Sequence, residues 1–199
     1  MSEQLIAHIT EPHPVTRVTN MKLGIWCFLA SEVMLFGGLF SALVLIRTGA
    51  PEWPLGSELL NLPLATFNTF ILIGSSVTMV MAWASLMLKN INKFRMYMFL
   101  TIALGIAFLI VKSIEYAGKF HHEIFPSTDN FYGMYFTLTG LHGLHVLVGI
   151  LVNTYFLTVG SALWKTNPEQ FTGRIECAGL YWHFVDLVWI FLFPILYLL

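Results

Sequence analysis

The sequence predicts an all-α membrane protein, a bundle of five transmembrane helices in a single domain over residues 1–199. The first observation is composition, because 57% of the residues are hydrophobic and only 11% are charged, a balance that soluble domains do not have. The second is a set of five apolar stretches, each long enough as a helix to cross a hydrocarbon core of about 30 Å. Basic residues or proline-rich loops separate these stretches.

Charge and the N-terminal residues exclude several classes of protein. The net charge is −1 and no basic block is present, which argues against nucleic acid as a partner and directs the search to the bilayer. The first residues, MSEQ, are polar and lack the basic-then-apolar order of a secretory signal. We therefore expect residues 1–20 to form a short, unprocessed arm at the membrane surface.

The first two spans are predicted at residues 23–46 and 64–88. The first contains one acid, Glu32, followed by a glycine pair that would let another helix approach closely. Prolines and Trp53 in residues 48–63 predict a kinked connection in the aromatic zone of the membrane interface. Several polar residues indicate that one face of the second span packs on protein: Thr66, Asn68, Thr69, Ser75, Ser76 and Thr78.

The other three spans are predicted at residues 96–116, 132–163 and 176–199. Lys112 and Glu115 lie at the end of the third span, at a spacing that permits an intrahelical ion pair near the membrane interface. In the fifth span, Pro194 is predicted to bend the final turns.

The distribution of basic residues predicts the orientation. Five spans place the two termini on opposite sides of the membrane. Seven of the ten Lys and Arg residues lie on the side of the N-terminus, and the other side has Arg47, Lys112 and Lys119. Because cytoplasmic loops carry the excess of positive charge, we expect a cytoplasmic N-terminus and a periplasmic C-terminus.

Glu32 lies about 15 Å into the first span at the rise of a helix. A lone carboxyl group at that depth is costly and must find a partner or take up a proton. One interpretation is a proton-exchanging or lipid-headgroup site, and the other is a structural hydrogen bond between two helices. Both remain open at this point.

Titratable residues also lie inside the fourth and fifth spans. His142 and His145 share one helix face, flanked by glycines that would admit a neighbouring helix. His183 and Asp186 share a face of the fifth span at the same spacing. Buried ionisable groups of this kind pair with one another or mark a functional site.

We interpret these residues as one polar network between helices, with Glu176 nearer the cytoplasmic end of the fifth span. The fourth and fifth spans run in opposite directions, so His145 and His183 both come near the middle of the membrane. The network therefore predicts that His183 and Asp186 face the fourth span or the first, close to His145 or Glu32.

Other kinds of site fit the sequence less well. A metal or haem site at the histidines is conceivable, but the dense His clusters of a membrane di-iron enzyme are absent, and we expect no metal. No phosphate-binding glycine loop and no nucleophilic triad is present, so we expect no catalytic residue. A stand-alone proton-coupled transporter could use Glu32, His145 and Asp186 as a relay, although no internal repeat supports it.

Several stretches of the sequence resemble one known family. They are residues 26–36 (WCFLASEVMLF), 68–76 (NTFILIGSS), 115–116 (EY), 135–149 (YFTLTGLHGLHVLVG) and 176–191 (ECAGLYWHFVDLVWIF). Together they cover all five predicted spans in the order of that family. On these motifs the chain is identified as a member of the subunit III family of the haem-copper terminal oxidases, in the five-span bacterial form of that subunit. These oxidases include cytochrome c oxidases and quinol oxidases.

The resemblance implies a non-catalytic, multi-pass subunit in the bacterial plasma membrane, with the catalytic subunit I and subunit II as partners. Haem and copper would lie in those partners, while this chain would bind phospholipid and sustain proton uptake during the reduction of dioxygen to water. Glu32 matches the membrane-buried, carbodiimide-reactive glutamate of the family. His142 and His145 match its two histidines in the fourth span, and His183 and Asp186 match its motif in the fifth.

One departure concerns the number of spans. Longer members have seven, and their two N-terminal helices form one wall of a lipid-filled cleft, which a neighbouring subunit could supply here. An accessory subunit of a nitric oxide reductase, a shorter relative, is a further alternative. Cytochrome c and quinol both remain open as the electron donor, because donor sites lie on other subunits.

Overall fold

A computed structural model describes residues 19–198, and five long helices account for most of that range. These are α1 (Asn20–Gly49), α3 (Leu62–Met87), α4 (Ile91–His121), α5 (Asn130–Leu157) and α7 (Pro168–Phe193). The connections contain two short helices, α2 (Gly56–Leu59) and α6 (Leu163–Thr166), and a 3₁₀ turn, Gly160–Ala162. A π-helical turn, Pro194–Leu198, follows α7 and is called the C-terminal turn below. The arm predicted for residues 1–20 lies outside the described residues, except for its last two positions.

Each long helix has the length and apolar composition needed to cross a membrane, α7 together with the C-terminal turn. The prediction of an all-α protein with five transmembrane helices is thus confirmed over residues 19–198. Several bounds differ from the predicted spans, and α4 runs from Ile91 to His121 rather than over residues 96–116. α5 ends at Leu157 rather than near residue 163, and α7 begins at Pro168 rather than near residue 176.

Each of the long helices begins at a capping side chain. In all five, the residue before the helix accepts a hydrogen bond from a backbone N–H three positions further on; these residues are Thr19, Asn61, Asn90, Asp129 and Asn167. Pro168 then occupies the first turn of α7, where its missing N–H costs nothing. The Asn167 and Pro168 pair is a start signal that hydropathy cannot reveal, because the first turns of α7 are polar.

α7 lies at the centre of the bundle and packs against α3, α5 and α1. α3 and α4 form an antiparallel hairpin around a tight turn, in which Lys89 has a positive φ of 56°. In the most apolar stretch of α7, 56% of the residues are buried, compared with 17% in α1. α1 is therefore the least packed of the five and lies at the edge of the bundle, against α7 and α5.

Trp182 of α7 fills the centre of the bundle. It is 2% exposed, and its indole Nε1 donates a hydrogen bond to Ser75 Oγ of α3 at 3.1 Å. A Cβ atom placed at Gly105 of α4 or at Gly149 of α5 would come within 2.8 Å of the Trp182 ring. Both helices therefore need glycine at this level, because the ring occupies the space that a methyl group would take.

Gly105→Ala is expected to lower the free energy of unfolding by about 1–3 kcal/mol, because the added methyl group overpacks the Trp182 site. Gly143→Ala in α5 is the matched control, since the nearest atom to its Cβ would be 3.9 Å away. Alanine has the higher helix propensity, so this control is expected to be neutral or stabilising. Thermal unfolding measures both variants. Equal shifts of their unfolding midpoints would contradict the packing argument.

Candidate functional site

The first buried polar cluster joins α1 to α5 through Glu32 and His145. The distance between His145 Nε2 and Glu32 Oε2 is 2.9 Å, and the two side chains are 13% and 14% exposed. His145 Nδ1 lies 2.8 Å from the backbone carbonyl oxygen of Leu141. Phe36 packs edge-on against the imidazole at 5.2 Å between ring centroids. The ring is thereby held in one orientation.

These contacts determine how many protons the pair holds. A carbonyl oxygen only accepts hydrogen bonds, so the Nδ1 of His145 must carry a hydrogen towards Leu141. The bond between Nε2 and Glu32 Oε2 then contains one further proton. The pair is either an imidazolium and a carboxylate or a neutral imidazole and a carboxylic acid. A proton can therefore pass between the two residues without movement of their heavy atoms.

His183 and Asp186 form a second cluster, on α7, and their partner is on a different helix from the predicted one. His183 Nδ1 makes a hydrogen bond of 2.6 Å with Ser76 Oγ of α3, and the same hydroxyl interacts with the Asp186 carboxyl group. The prediction that these side chains face the fourth or the first span, near His145 or Glu32, is therefore wrong. The physical reason is that α7 packs on three helices, and this face of α7 meets α3.

His142 lies apart from both clusters. It is 1% exposed, and its ring packs against those of Phe108 and Trp189, with centroids 5.6 Å and 5.1 Å away. Neither ring nitrogen has a hydrogen-bond partner among residues 19–198. Although His142 and His145 share a helix face, His142 lies among aromatic rings in the core and His145 makes a polar contact with α1.

A third cluster surrounds Lys112 and Glu115 of α4. Lys112 Nζ lies 2.9 Å from Glu115 Oε2 and also donates to the Tyr197 hydroxyl at 2.6 Å and to the Tyr135 hydroxyl at 3.5 Å. Both tyrosine hydroxyls donate to Glu115 Oε1 at 2.9 Å. The ammonium group also lies 5.0 Å from the centre of the Trp189 ring. Helices α4, α5 and α7 thus meet around one charge pair.

The spacing predicted the contact within this ion pair but not its partners on other helices. The sequence placed Lys112 and Glu115 at the end of the third span, near the membrane interface. Their side chains are 9% and 6% exposed within the bundle, and α4 continues past them to His121. Tyr135, Trp189 and Tyr197 were not predicted as partners, because no spacing in the sequence connects three helices.

Glu176 belongs to none of these clusters. Its carboxylate lies 2.7 Å from Lys22 Nζ of α1, and the side chains of Lys22 and Glu176 are 36% and 32% exposed. A cavity of about 660 Å³ adjoins this pair, lined by charged groups that include Lys89 and Glu169. The pair is an exposed salt bridge at one end of the bundle, and pairs of this kind contribute at most about 1 kcal/mol.

An apolar groove lies between α1, α5 and α7. It has a volume of about 320 Å³, and its walls include Ile25, Phe28, Val148, Val152, Ala178 and Tyr181. Arg174 and Cys177 also line it, nearer the start of α7. The Tyr181 hydroxyl donates to the backbone carbonyl of His145 at 3.0 Å. The groove therefore adjoins the Glu32 and His145 pair.

Metal coordination has no obvious place among these groups. Across residues 19–198, no set of three or more His, Cys, Asp or Glu side chains is arranged to hold a metal ion. What the clusters can do chemically is accept, donate and retain protons, and fix the helices relative to one another.

Comparisons with known proteins agree with this arrangement of five membrane helices. A family model for cytochrome c oxidase subunit III matches residues 5–199. Cytochrome c oxidase subunit 3 of Synechocystis sp. is 37% identical over 97% of this chain and 80% of its own length. The corresponding protein of Alkalihalophilus pseudofirmus is 34% identical over 90% of this chain and 87% of its own length.

A quinol oxidase subunit is similar to a comparable degree. The cytochrome bo(3) ubiquinol oxidase subunit 3 of Buchnera aphidicola is 31% identical over 92% of this chain and 96% of its own length. The five apolar helices and these bacterial relatives indicate a multi-pass protein of the bacterial plasma membrane. The chain belongs to the cytochrome c oxidase subunit III family.

Proposed function

We propose that this subunit III of a haem-copper terminal oxidase binds phospholipid in the apolar groove and sustains proton uptake by the catalytic subunit I, beside subunit II. The metal centres of such oxidases lie in other subunits, so the contribution of this chain to dioxygen reduction is indirect. The observation that carries the proposal is the position of the Glu32 and His145 pair, buried between α1 and α5 and next to the groove.

The lining of the groove matches the two parts of a phospholipid. Its aliphatic and aromatic walls suit acyl chains, and the Arg174 guanidinium suits a phosphate group, which it can bind with two parallel hydrogen bonds. An acyl chain against Phe28 and Tyr181 would keep water from the Glu32 and His145 pair on that side. The single proton of the pair would then exchange only along routes that the complex provides.

The proposed orientation has a cytoplasmic N-terminus. Two of the three cations that the sequence assigns to the opposite side, Lys112 and Lys119, are 7% and 9% exposed in the bundle. Their charges therefore add little to the loops of that side, and the excess of exposed positive charge at the N-terminal side is larger than a count of residues suggests.

Glu32→Ala is expected to leave the initial rate of oxygen consumption largely intact and to shorten the active lifetime of the oxidase during turnover. Continuous recording of oxygen consumption by the purified complex measures both quantities. Glu32→Gln separates the two interpretations of this residue, because glutamine can hydrogen-bond to His145 but cannot exchange a proton. The proposal expects Glu32→Gln to inactivate as early as Glu32→Ala.

A complex that lacks this chain provides the reference. If that complex turned over as durably as the complete one, the proposed role would be lost. If Glu32→Gln lasted as long as the unmodified oxidase, the pair would be a structural link alone. A visible spectrum of the native complex, which shows the haem types present, would identify the kind of oxidase that the subunit serves.

A further inference from the structure

The C-terminal turn has two deeply buried residues, although Leu198 at its end is 51% exposed. Leu196 is 1% exposed and Tyr197 is 0% exposed. The Tyr197 hydroxyl accepts a hydrogen bond from Lys112 Nζ and donates one to Glu115 Oε1. Hydrogen bonds to charged groups are about twice as strong as those between neutral groups. The turn is therefore fastened to α4 by a single side-chain hydroxyl with two charged partners.

The same turn packs backbone to backbone against α2, in the connection between α1 and α3. A Cβ atom at Gly56 would overlap the Leu196 carbonyl oxygen and would lie 3.3 Å from Tyr197 Cα. α2 has only four residues, too few to form a stable helix without tertiary contacts. At its other end, Lys119 Nζ of α4 donates to the Leu59 carbonyl oxygen at 3.3 Å.

We propose that the C-terminal turn is a latch that holds the connection between α1 and α3 closed against the bundle. The backbone of the turn packs against α2 at Gly56. The Tyr197 hydroxyl holds the turn in place through its hydrogen bonds to Lys112 and Glu115. When the hydroxyl bonds break, the turn leaves its seat and α2 loses the surface that keeps it folded. The latch is independent of the groove and of the Glu32 and His145 pair.

Cleavage by a glutamate-specific protease after Glu58 measures opening of the latch, because Glu58 lies inside α2 and a helix must unfold locally before it is cut. In the purified native complex, Tyr197→Phe is expected to be cut at least about tenfold faster than the unmodified chain, since it loses two bonds to charged groups. Tyr155→Phe is the matched control, because Tyr155 is 50% exposed at the surface of α5. It is expected to be cut at the unmodified rate.

Gly56→Ala tests the other side of the contact, with Gly37→Ala as its control because no atom lies within 4 Å of a Cβ there. An alanine at position 56 prevents the C-terminal turn from packing against α2. Because that contact is already lost, adding Tyr197→Phe to Gly56→Ala is expected to change the cleavage rate little. In the Gly37→Ala background, Tyr197→Phe is expected to keep its full effect.

Two results would overturn the latch. One is cleavage of Tyr197→Phe at the unmodified rate, and the other is equal acceleration by Tyr155→Phe. If Tyr197→Phe does not accumulate in the complex, combining it with Lys112→Met and Glu115→Leu removes the charges that it leaves unsatisfied. That combined variant is expected to assemble and to be cut fast, and either its failure to assemble or an unmodified cleavage rate would refute the proposal.

Discussion

Lys112→Met alone is expected to lower the free energy of unfolding of the subunit by about 3–5 kcal/mol. The substitution removes the cation that lies 2.9 Å from the Glu115 carboxylate, which stays buried at 6% exposure while the Tyr135 and Tyr197 hydroxyls still donate to its other oxygen. When a buried charge loses its ion-pair partner, its desolvation free energy is no longer offset by the attraction between the two charges. Thermal unfolding of the detergent-solubilised complex, followed by release of this subunit, measures the loss.

Two controls separate charge burial from other effects of the substitution. Lys112→Met with Glu115→Leu removes both charges and is expected to recover most of the stability, since apolar residues often replace a buried ion pair at little cost. Lys22→Met breaks the exposed salt bridge with Glu176 and is expected to cost at most about 1 kcal/mol. A Lys112→Met effect no larger than that of Lys22→Met would contradict the role assigned to this cluster.

Trp182→Ala is expected to lower the free energy of unfolding by about 3 kcal/mol, at the lower end of the range for large aromatic residues in soluble cores. The lower value reflects the membrane, where lipid is as apolar as the interior and the loss is mainly of van der Waals contact. The cavity would open between Gly105 and Gly149, and Ser75 would lose its indole donor.

Trp26→Ala is the matched control for the central tryptophan, because Trp26 is 58% exposed on the surface of α1. Its removal creates no cavity inside the bundle and is expected to leave the unfolding midpoint nearly unchanged. Equal shifts for the two variants would show that α4, α5 and α7 do not depend on the ring between them. Double substitution with Gly105→Ala adds a further check, since the overpacking penalty of that alanine should vanish once the ring is gone.

The sequence predicts those features that depend on one helix at a time. Apolar length gives the five spans, and the spacing between Lys112 and Glu115 gives their contact, because both are properties of a single helix. The start of α7 is also encoded locally, because Asn167 and Pro168 form a capping signal that hydropathy does not register.

Contacts between helices follow from packing that no periodicity encodes. The spacing of His183 and Asp186 correctly places them on one face, but the rotation of α7 decides that this face meets Ser76 of α3. The sequence predicts that Ser76 lies on a polar face of the second span that packs on protein, but it does not predict which helix that face meets. Tyr197 gave no signal, because its role depends on the position of a turn that follows Pro194.

The sparse packing of α1 has a consequence for how this helix is held in a bilayer. Hydrophobic burial cannot decide which side of α1 faces the bundle, because acyl chains solvate an apolar surface as well as protein does. Polar contacts do distinguish the sides, among them the pair of Lys22 with Glu176 at one end and the pair of Glu32 with His145 about 15 Å further along the axis. These contacts fix the rotation of α1 about its own axis. Loss of the inner link would weaken the control of this rotation while α1 still spans the membrane.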